Sequence, residues 1–410
     1  MNILMISSTF PYPPSRGGTE IRTFNLLRYL SQNHAVTLIT QRHGDVSEQD
    51  IEALRQWVSE LLIFPLPADQ TERGLARWSG KLGRLWTSLS RTTPPNVLHR
   101  YSSAMQDWID QAVNADKFDV ITCEHSVNEI YIRPQFRQTV KTVVDVHSSV
   151  YAWTRNHLEM GASAHPWRDR LYLSLLYRYE KRYSAKFSTI VVTTHDDREE
   201  MRQLCPSADL AVIPNGVDLD LFPCRTIDPG GYELVFVGAM DASHNIDAAR
   251  FFALEVMPSL RQRYAEATFK IVGARPAPEV LALKELPGIV VTGKVDSMVA
   301  QLHQSVVCVV PLRTGFGIKN KTLEAMAAGV PVVASDRGLE GLAVSGDGVP
   351  LRALRANRVE EYVTEIGRLF DDGALRAELS RHGRSLIEAE YTWERAGQQY
   401  EQVLLQAQDG

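Results

Sequence analysis

The clearest chemical signal in the sequence is a glycine-rich loop followed by two lysines and a glutamate. Gly315 and Gly317 would free backbone N–H groups to meet an oxygen-rich ligand, and Lys319 and Lys321 would add positive charge for a diphosphate. Glu324, on a helix predicted to start near Lys319, can accept two hydroxyl hydrogen bonds, as a ribose diol requires. A surface helix of mixed charge would explain the lysines and the glutamate but not the paired glycines.

A second candidate lies between the first predicted strand and the helix after it. Gly17 and Gly18 let the backbone approach a ligand closely, and the helix N-terminus that follows, with Glu20 in its first turn, suits a phosphate or a polar acceptor. Paired glycines alone equally well make a tight turn. The glycines do not form GxGxxG, so the sequence lacks the dinucleotide-binding fingerprint and a dehydrogenase is disfavoured.

A third candidate is His147, which follows Asp145 at the end of a predicted strand over 142–147. A neutral histidine at the carboxyl end of a strand can orient a hydroxyl or a phosphate and can exchange protons near pH 7. A purely structural histidine is the alternative that the residues leave open.

Metal binding and thiol chemistry find little support in the sequence. The four cysteines have no CxxC spacing, three of them lie in or beside apolar runs, and we predict reduced thiols. Asp218 and Asp220 spell DxD, but in a segment that reads as an interdomain linker. No His/Cys spacing indicates zinc, and we expect neither a metal nor a cofactor.

The overall composition is that of a globular chain of two or three domains. Of 410 residues, 44 are Lys or Arg and 49 are Asp or Glu, so the formal charge is −5, which argues against a dedicated nucleic-acid binder. No apolar run reaches ~18 residues, and the N-terminus reads as a strand and not as a signal peptide. We therefore expect a cytoplasmic protein.

Two segments rich in Trp, Tyr, Arg and Lys interrupt the pattern of strands and helices, at 66–113 and 151–187. Basic amphipathic helices with Trp can lie on an anionic membrane surface. Ordinary helices with solvated basic faces are the alternative. The segments weakly suggest a large or lipid-linked acceptor and a location at the inner face of the membrane.

Short apolar runs that alternate with segments of helical period dominate the chain. The runs are rich in Val and Ile on consecutive positions, which is typical of parallel strands covered on both faces. The predicted strands are Ile3–Ser8, Ala35–Thr40, Leu61–Pro65, Asp119–Cys123, Thr142–His147, Thr189–Thr194, Leu210–Pro214, Glu233–Gly238, Thr268–Gly273, Ile289–Thr292, Val306–Pro311 and Val330–Ala334.

The strands fall into two series separated by turn signals that begin at Pro214-Asn215-Gly216. We predict an α/β chain of two doubly wound domains: residues 1–222, on which a C-terminal helix at about 391–410 packs back, and residues 223–390. Ligands of such sheets bind at the carboxyl ends of the strands.

Three motifs together resemble the group 1 (family 4) glycosyltransferases. They are the linker 212–218, the Phe236-Val237-Gly238 turn before a helix, and the segment 323–333, which reads LEAMAAGVPVV. The resemblance implies a GT-B architecture, in which two Rossmann-like domains face each other across a cleft, the first binding the acceptor and the second the donor. The Gly-x-x-Asn-Lys-x-Leu-Glu-Ala form resembles the sugar transferases found with exopolysaccharide and exosortase systems.

The resemblance also implies site residues. It makes Glu324 the ribose-binding glutamate, and it places His147 near the transferred sugar, both as catalytic residues. It implies acceptor contacts from Gly17, Gly18, Glu20 and His147. The expected donor-binding residues are Gly18, Gly238, Arg275, Thr314, Gly315, Phe316, Gly317, Lys319, Asn320, Lys321 and Glu324.

The chain departs from the family's pattern at three positions. Thr314 stands where relatives have a glutamate before the glycine loop, and Ala239 and His244 stand where relatives have an arginine and a lysine on the diphosphate. Two lost cations would weaken the neutralisation of phosphate. We expect Lys319 and Lys321, with Arg275, to supply it instead.

The resemblance implies retaining transfer of a hexose from a nucleotide-diphosphate sugar to a hydroxyl acceptor, without a metal. The acceptor would be lipid-linked or an oligosaccharide, and the reaction would serve polysaccharide or glycolipid synthesis. Two alternatives stay open. One is a nucleotide-sugar epimerase or hydrolase on the same fold. The other is a non-catalytic sugar-nucleotide-binding or assembly protein, which the three departures make plausible.

Overall fold

A computed structural model describes residues 1–14, 17–44, 46–66, 93–147, 149–159, 161, 163, 165–315 and 317–406. The chain divides into two compact units, Met1–Pro214 with Ala396–Gly410, and Asn215–Arg395. The predicted boundary near residue 222 is too late, because the apolar side chains of Leu219 and Phe222 pack against the core of the second unit.

The first unit is built on parallel strands joined by helices. The sheet of its described residues has seven strands in the order β3-β2-β1-β4-β5-β6-β7, so the chain reverses direction across the sheet between β1 and β4. Its elements, in chain order, are β1 (Asn2–Ser7), α1 (Gly18–Leu30), β2 (Ala35–Arg42), α2 (Glu48–Arg55), β3 (Glu60–Pro65), α3 (Pro95–Leu98), α4 (Ser103–Asn114), β4 (Val120–Glu124), two 3-10 helices (Ser126–Tyr131 and Pro134–Gln138), β5 (Lys141–Asp145), α5 (Val150–Glu159), α6 (Pro166–Ser184), β6 (Thr189–Val192), α7 (His195–Leu204) and β7 (Asp209–Val212).

The second unit repeats this architecture. The sheet of its described residues has six parallel strands in the order β10-β9-β8-β11-β12-β13, with the reversal between β8 and β11. Its elements are β8 (Glu233–Val237), α8 (Ser243–Phe251), a π-helical segment (Phe252–Val256), α9 (Met257–Arg263), β9 (Thr268–Val272), α10 (Pro278–Leu281), a 3-10 helix (Ala282–Glu285), β10 (Ile289–Gly293), α11 (Met298–Gln304), β11 (Val307–Val310), α12 (Asn320–Ala327), β12 (Val332–Ala334), β13 (Leu354–Arg355), α13 (Val359–Asp371) and α14 (Gly373–Glu390).

The central strands are buried on both faces, which explains their unbroken apolar sequences. In β1, all residues from Ile3 to Ser7 are buried, and in β11 all four residues are buried. Such strands leave only their ends accessible, so polar groups that follow β1, β4, β5, β8 and β11 gather at the carboxyl edge of each sheet. The reversal of strand order in each sheet opens a crevice at that edge.

The last helix, α15 (Trp393–Leu405), belongs to the first unit from residue 396 onward. The Tyr400 hydroxyl lies 2.5 Å from Thr122 Oγ1, and Lys141 Nζ donates to the Val403 carbonyl oxygen at 2.5 Å. A Cβ added at Gly397 would lie 2.2 Å from Tyr29 Cγ, so only glycine allows this close packing. The C-terminal helix therefore buries one of its sides against the first unit.

The two aromatic and basic segments differ in what can be said of them. Residues 67–92 lie outside the described residues. In the second segment Tyr179 and Tyr183 are buried, so they belong to the core, whereas Trp167 and Leu171 are 70% and 72% exposed. Among the residues described, no helix combines the length and the apolarity that crossing a bilayer requires.

Candidate functional site

In the second unit the glycine-rich loop leaves the carboxyl end of β11 and enters α12. Gly315 and Gly317 have φ values of 117° and 70°, which glycine adopts without the strain that a side chain would impose. Thr314 before them is buried, and Phe316 lies outside the described residues. The loop therefore adopts a backbone conformation that requires the two glycines of the sequence motif.

Lys319 stabilises this loop through contacts of its buried side chain. Its ammonium group donates to Glu340 Oε2 at 2.9 Å and to the carbonyl oxygen of Gly317, and its side chain is 9% exposed. A buried lysine paired with a carboxylate holds two segments together at the cost of desolvation. The ammonium group that we expected to face a diphosphate is thus bound to protein groups of the same unit.

Lys321 occupies a different environment. Its ammonium nitrogen lies 2.5 Å from Asn245 Oδ1 and 4.6 Å from the centre of the Phe236 ring. A Cβ added at Gly238 would lie 2.9 Å from that nitrogen, so the lysine lies against the turn that follows β8. Enclosure lowers the pKa of Lys321 to about 7, because a charged ammonium loses water there.

Glu324 lies one turn further along α12. Burial raises the pKa of its carboxyl to about 7, against the opposing effect of the Lys321 charge. Among the described residues, the ion pairs of the protein involve neither Lys321 nor Glu324. A half-buried cation and a half-buried carboxyl group therefore stand close together at the carboxyl edge of this sheet.

The remaining predicted donor residues are held in different ways. Asn320, the first residue of α12, accepts a hydrogen bond from Asn215 at 2.8 Å. Arg275 has a φ of 50° and forms a two-bond pair with Asp241, with an Nε to Oδ2 distance of 2.5 Å, and is 60% exposed. Like the ammonium of Lys319, the guanidinium of Arg275 is paired within the unit. Lys321 is therefore the predicted cation that is not held in an ion pair.

In the first unit, a buried ion pair joins α1 to the end of β5. Arg22 Nε and Nη2 donate to the two carboxylate oxygens of Asp145 at 2.5 and 3.1 Å, and both side chains are at most 2% exposed. Burial by itself would raise the pKa of Asp145, but the Arg22 and His147 charges lower it to about 2. The pair brings Gly17 and Gly18, at the start of α1, to the same sheet edge as His147.

His147 is largely enclosed at this edge. Its Nε2 lies 3.5 Å from Asp145 Oδ2, and its ring meets that of His125 edge to face at 5.2 Å between centroids. His125 has a φ of 77°, uncommon for a residue with a side chain, and burial followed by the charges of His147 and Arg100 lowers its pKa to about 3. The uncharged ring of His125 thus forms the surface against which the His147 ring packs.

Glu124 completes the group from the end of β4. Its Oε1 accepts hydrogen bonds from Tyr400 at 3.1 Å and from Thr122 at 3.3 Å, while its buried Oε2 has no hydrogen-bond partner. Burial, followed by the Asp145 charge, raises the pKa of Glu124 to about 8. The protonated form of this carboxyl group is therefore more favoured than it would be in water.

Within the described residues, one group of side chains could surround a cation, since ligand atoms of Glu124, Asp145 and His147 all lie within 4.8 Å of one another. The guanidinium of Arg22 already binds both oxygens of Asp145. The Arg22 guanidinium therefore already supplies a positive charge to this cluster. The three ligand groups do not match an open cation site.

Gly17 and Gly18 open α1 without a capping side chain. A Cβ added at Gly17 would lie 2.8 Å from Glu20 Oε2, so the glutamate folds back over the glycine, whereas a Cβ at Gly18 would meet nothing within 4 Å. The first turn of α1 thus has open space beside it, and its unpaired N–H groups suit an acceptor oxygen.

Sequence reasoning missed five residues of these two sites: Arg22, Glu124, His125, Asn245 and Tyr400. Two of them had a local signal, since Glu124 and His125 are polar residues that directly follow the predicted strand Asp119–Cys123. Tyr400 had none, because it reaches Glu124 from 276 residues away along the chain.

Comparisons with known proteins agree with this architecture. The model of a family described as Glycosyl transferases group 1 matches residues 231–372, and that of Glycosyltransferase Family 4 matches residues 16–221. A curated relative, the MMP alpha-(1->4)-mannosyltransferase of Mycolicibacterium hassiacum, is 28% identical over 194 residues, and the aligned region is 45% of this chain and 45% of that relative.

Solved structures extend the similarity to nearly the whole chain. Sucrose-phosphate synthase from Thermosynechococcus elongatus has a TM-score of 0.66 at 19% identity and covers 98% of each chain. HepE of Anabaena in complex with UDP-glucose has a TM-score of 0.63 at 15% identity, covering 98% of this chain and 99% of that one. The predicted fold, two Rossmann-like α/β domains of the GT-B class, is confirmed.

Because the second of these family models covers residues 16–221, half of the sequence, this chain belongs to Glycosyltransferase Family 4.

Proposed function

We propose that the protein is a retaining glycosyltransferase that moves a hexose from a nucleotide-diphosphate sugar to a hydroxyl acceptor. The observation that carries the proposal is the pair of Lys321 and Glu324, a half-buried cation and carboxyl one turn apart, beside a loop whose glycines have positive φ. These groups match the two parts of a nucleoside diphosphate. The narrower resemblance to exopolysaccharide and exosortase systems stays a prediction.

In this proposal the donor lies along the carboxyl edge of the second sheet. Glu324 accepts hydrogen bonds from the two ribose hydroxyls, and Lys321 faces the diphosphate across the turn at Gly238. The negative charge of the diphosphate favours the protonated form of Lys321, because opposite charges within a few ångströms stabilise each other. Donor binding and protonation of Lys321 are therefore linked.

Cleavage of the bond between the sugar and the phosphate builds negative charge on the leaving phosphate. Lys321 and the N–H groups of the loop before α12 would stabilise that charge without reorganising, which is the most effective form of electrostatic catalysis. Because protein cations and N–H groups supply the positive charge, we propose transfer without a metal. We assign no separate general base, and the departing phosphate takes the acceptor proton.

The first unit would hold the acceptor. His147 and the open first turn of α1 lie at its carboxyl edge, where the Arg22–Asp145 ion pair fixes both. A neutral imidazole can orient a sugar or acceptor hydroxyl. Sugar nucleotides are the donors to test first, because HepE has been crystallised with UDP-glucose and the curated relative is a mannosyltransferase.

A thermal-shift panel of UDP-, GDP- and ADP-sugars tests donor binding. A donor at 100 times its dissociation constant adds about 2.7 kcal/mol to the free energy of unfolding. Glu324→Ala should abolish most of that shift, and a matched Glu279→Ala variant, on α10, should keep it. An unchanged shift in Glu324→Ala would contradict the proposed ribose contact.

Product analysis then tests the reaction. NMR of the product of turnover with a hydroxyl acceptor should show the anomeric configuration of the donor, and chelator should leave the rate unchanged. Free sugar without transfer would favour a hydrolase, an altered sugar nucleotide an epimerase, and binding without turnover a non-catalytic protein. The contact with an anionic membrane and a lipid-linked acceptor stay predictions.

A further inference from the structure

Asn245, in the first turn of α8, is a buried amide that links two segments of the second unit. Its Nδ2 donates to the Ala239 carbonyl oxygen at 2.8 Å, and its Oδ1 accepts from Lys321 Nζ at 2.5 Å. The side chain is 3% exposed. A reversed amide would place its NH2 against the ammonium group and its oxygen against the carbonyl oxygen, so the neighbours fix one orientation. The turn after β8 is thereby joined to α12 through this side chain.

The contact leaves the ammonium group of Lys321 with spare hydrogen-bonding capacity. An ammonium group has three N–H donors. Among the residues that the structure describes, Asn245 Oδ1 is the acceptor that Lys321 Nζ reaches. Its other close neighbour is the Phe236 ring, whose centre lies 4.6 Å away. These two neighbours are uncharged, so they hold the ammonium group in place without cancelling its charge.

The glycine of the same turn makes room for this arrangement. A Cβ added at Gly238 would lie 2.9 Å from Lys321 Nζ and 2.8 Å from Asn245 Nδ2, so a side chain at this position would displace one of them. The backbone of the turn therefore approaches the ammonium group closely. Because Gly238 directly follows β8, the ammonium group lies at the carboxyl edge of the second sheet, where ligands of such sheets bind.

Lys319, two residues earlier in the chain, shows the effect of a different partner. Its ammonium group donates to the carboxylate of Glu340 at 2.9 Å, so its positive charge is compensated within the unit. Lys321 has an amide in the corresponding role. The partner of each lysine therefore decides whether its charge is compensated inside the protein.

We propose that Asn245 is a positioning residue. Its amide oxygen holds the ammonium group of Lys321 beside the turn after β8 and, being uncharged, leaves the positive charge to the diphosphate of the donor. This inference rests on the proposed function, in which Lys321 binds the diphosphate. Asn245 touches no substrate in this proposal, and it acts through Lys321.

A double-mutant cycle on the full chain tests this role, with UDP, GDP and ADP as calorimetric probes. We expect Asn245→Ala to weaken the binding of the preferred nucleoside diphosphate about tenfold in the wild type and less than about twofold in Lys321→Met, because residues of one hydrogen-bond network are energetically coupled. An equal loss in both backgrounds would overturn the proposal, since an asparagine with a merely structural role would act without Lys321.

Two controls separate the diphosphate contact from general damage to α8. Uridine, guanosine and adenosine lack phosphate, so Asn245→Ala should leave their dissociation constants unchanged. Ile246→Ala truncates the next residue, which packs against the core of the unit, and it should lower stability but keep the affinity for the nucleoside diphosphate. A loss of that affinity in Ile246→Ala as large as in Asn245→Ala, or an equal loss for the nucleosides, would contradict the proposal.

Asn245→Asp is a nearly isosteric variant that also serves if Asn245→Ala does not fold. A carboxylate in place of the amide would pair with Lys321 and cancel its charge. Binding of the nucleoside diphosphate should therefore be weaker than in Asn245→Ala. Wild-type affinity in Asn245→Asp would overturn the proposal, because a charged partner would then serve as well as a neutral one.

The outcomes distinguish this inference from the proposed function. If the wild type binds none of UDP, GDP and ADP, the proposed diphosphate site is wrong, and the role of Asn245 is wrong with it. A coupled loss of affinity without transfer to any acceptor would support the role of Asn245 and overturn the transferase proposal. Equal losses in both backgrounds, in a protein that does transfer sugar, would overturn the role of Asn245 alone.

Discussion

The two candidate sites lie at the carboxyl edges of their sheets, but their charged side chains have different partners. At the edge of the first sheet, Arg22 and Asp145 form a buried ion pair whose two hydrogen bonds are made within the protein. At the edge of the second sheet, Lys321 has the neutral partners Asn245 and Phe236, and Glu324 has no ion-pair partner among the described residues.

This difference separates a charge that is paired within the protein from charged groups that, in our proposal, bind a ligand. The Arg22 guanidinium binds both carboxylate oxygens of Asp145, so it ties α1 to the end of β5, next to His147. The pKa values of Lys321 and Glu324 both move to about 7, because each is desolvated without full compensation. A ligand with a diphosphate and a diol would provide the missing compensation.

The largest expected effect tests the first half of this comparison. Arg22→Ala leaves Asp145 as an uncompensated buried charge and should lower the free energy of unfolding by about 3–5 kcal/mol. Denaturant titration measures it. Asp145→Asn in the same chain should recover part of the loss, since it removes the orphaned charge.

A matched control uses an exposed pair in the second unit. Arg313 donates to Asp247 Oδ2 at 2.9 Å, with side chains 47% and 32% exposed. Arg313→Ala should cost about 0–1 kcal/mol, because water and salt screen such pairs. A loss for Arg22→Ala as small as that of this control would show that the buried pair does not organise the first site.

The second effect concerns donor binding. Lys321→Met keeps the apolar stem and removes the charge, and it should weaken sugar-nucleotide affinity by about 1.5–3 kcal/mol, roughly 10- to 150-fold. Calorimetric titration measures the dissociation constant. Lys319→Met should instead lower stability, because its ammonium group binds Glu340 and the loop, with a smaller loss of affinity. The reverse ranking would contradict the assignment of Lys321 to the diphosphate.

The third effect is a minimum in stability near pH 7 caused by the Lys321–Glu324 pair. The raised pKa of Glu324 lowers stability as pH rises from 4.5 to about 7, and the lowered pKa of Lys321 restores it from about 7 to 10.5. With allowance for solvent at these half-buried groups, the minimum should be on the order of 1–2 kcal/mol deep.

The measurement is chemical denaturation between pH 5 and 10 without ligand, with the double variant Lys321→Met, Glu324→Gln as reference. The difference between wild type and the reference should be least favourable to the wild type near pH 7. A difference that is independent of pH would mean that the two groups remain well solvated.

The smallest effect is expected at Arg275. Its guanidinium pairs with Asp241 on the surface and is 60% exposed. Arg275→Ala should change the free energy of unfolding by at most about 1 kcal/mol and should alter donor affinity less than Lys321→Met does. A larger loss of affinity than in Lys321→Met would assign the diphosphate to the arginine after β9.

Most of the sheet architecture could be predicted from the sequence because buried parallel strands are continuous apolar runs. All twelve predicted strands correspond to strands of the structure, with ends that differ by at most two residues. The exception is β13, Leu354–Arg355, whose two residues are too few to form a pattern. Strand ends were less predictable: the predicted strand Thr142–His147 ends two residues beyond β5, whose last residue is Asp145.

The candidate site was predictable only where it is contiguous in sequence. The loop from Thr314 to Glu324 could be recognised from glycines and charges within eleven residues, because a strand–loop–helix unit keeps them together. Which of Lys319 and Lys321 faces a ligand could not be predicted, since it depends on Glu340 and on Asn245. Those partners come from other segments of the unit.

The amino-acid sequence by itself determined the two parallel sheets, the glycine loop and its cations, because the spacing of apolar residues and the conformational freedom of glycine are local properties. Only the tertiary structure decided how the charges are used. Arg22 meets Asp145 across 123 residues and Tyr400 meets Glu124 across 276 residues. Burial and pairing of charge depend on such long-range contacts, and they determine which groups stay saturated and which remain able to bind a ligand.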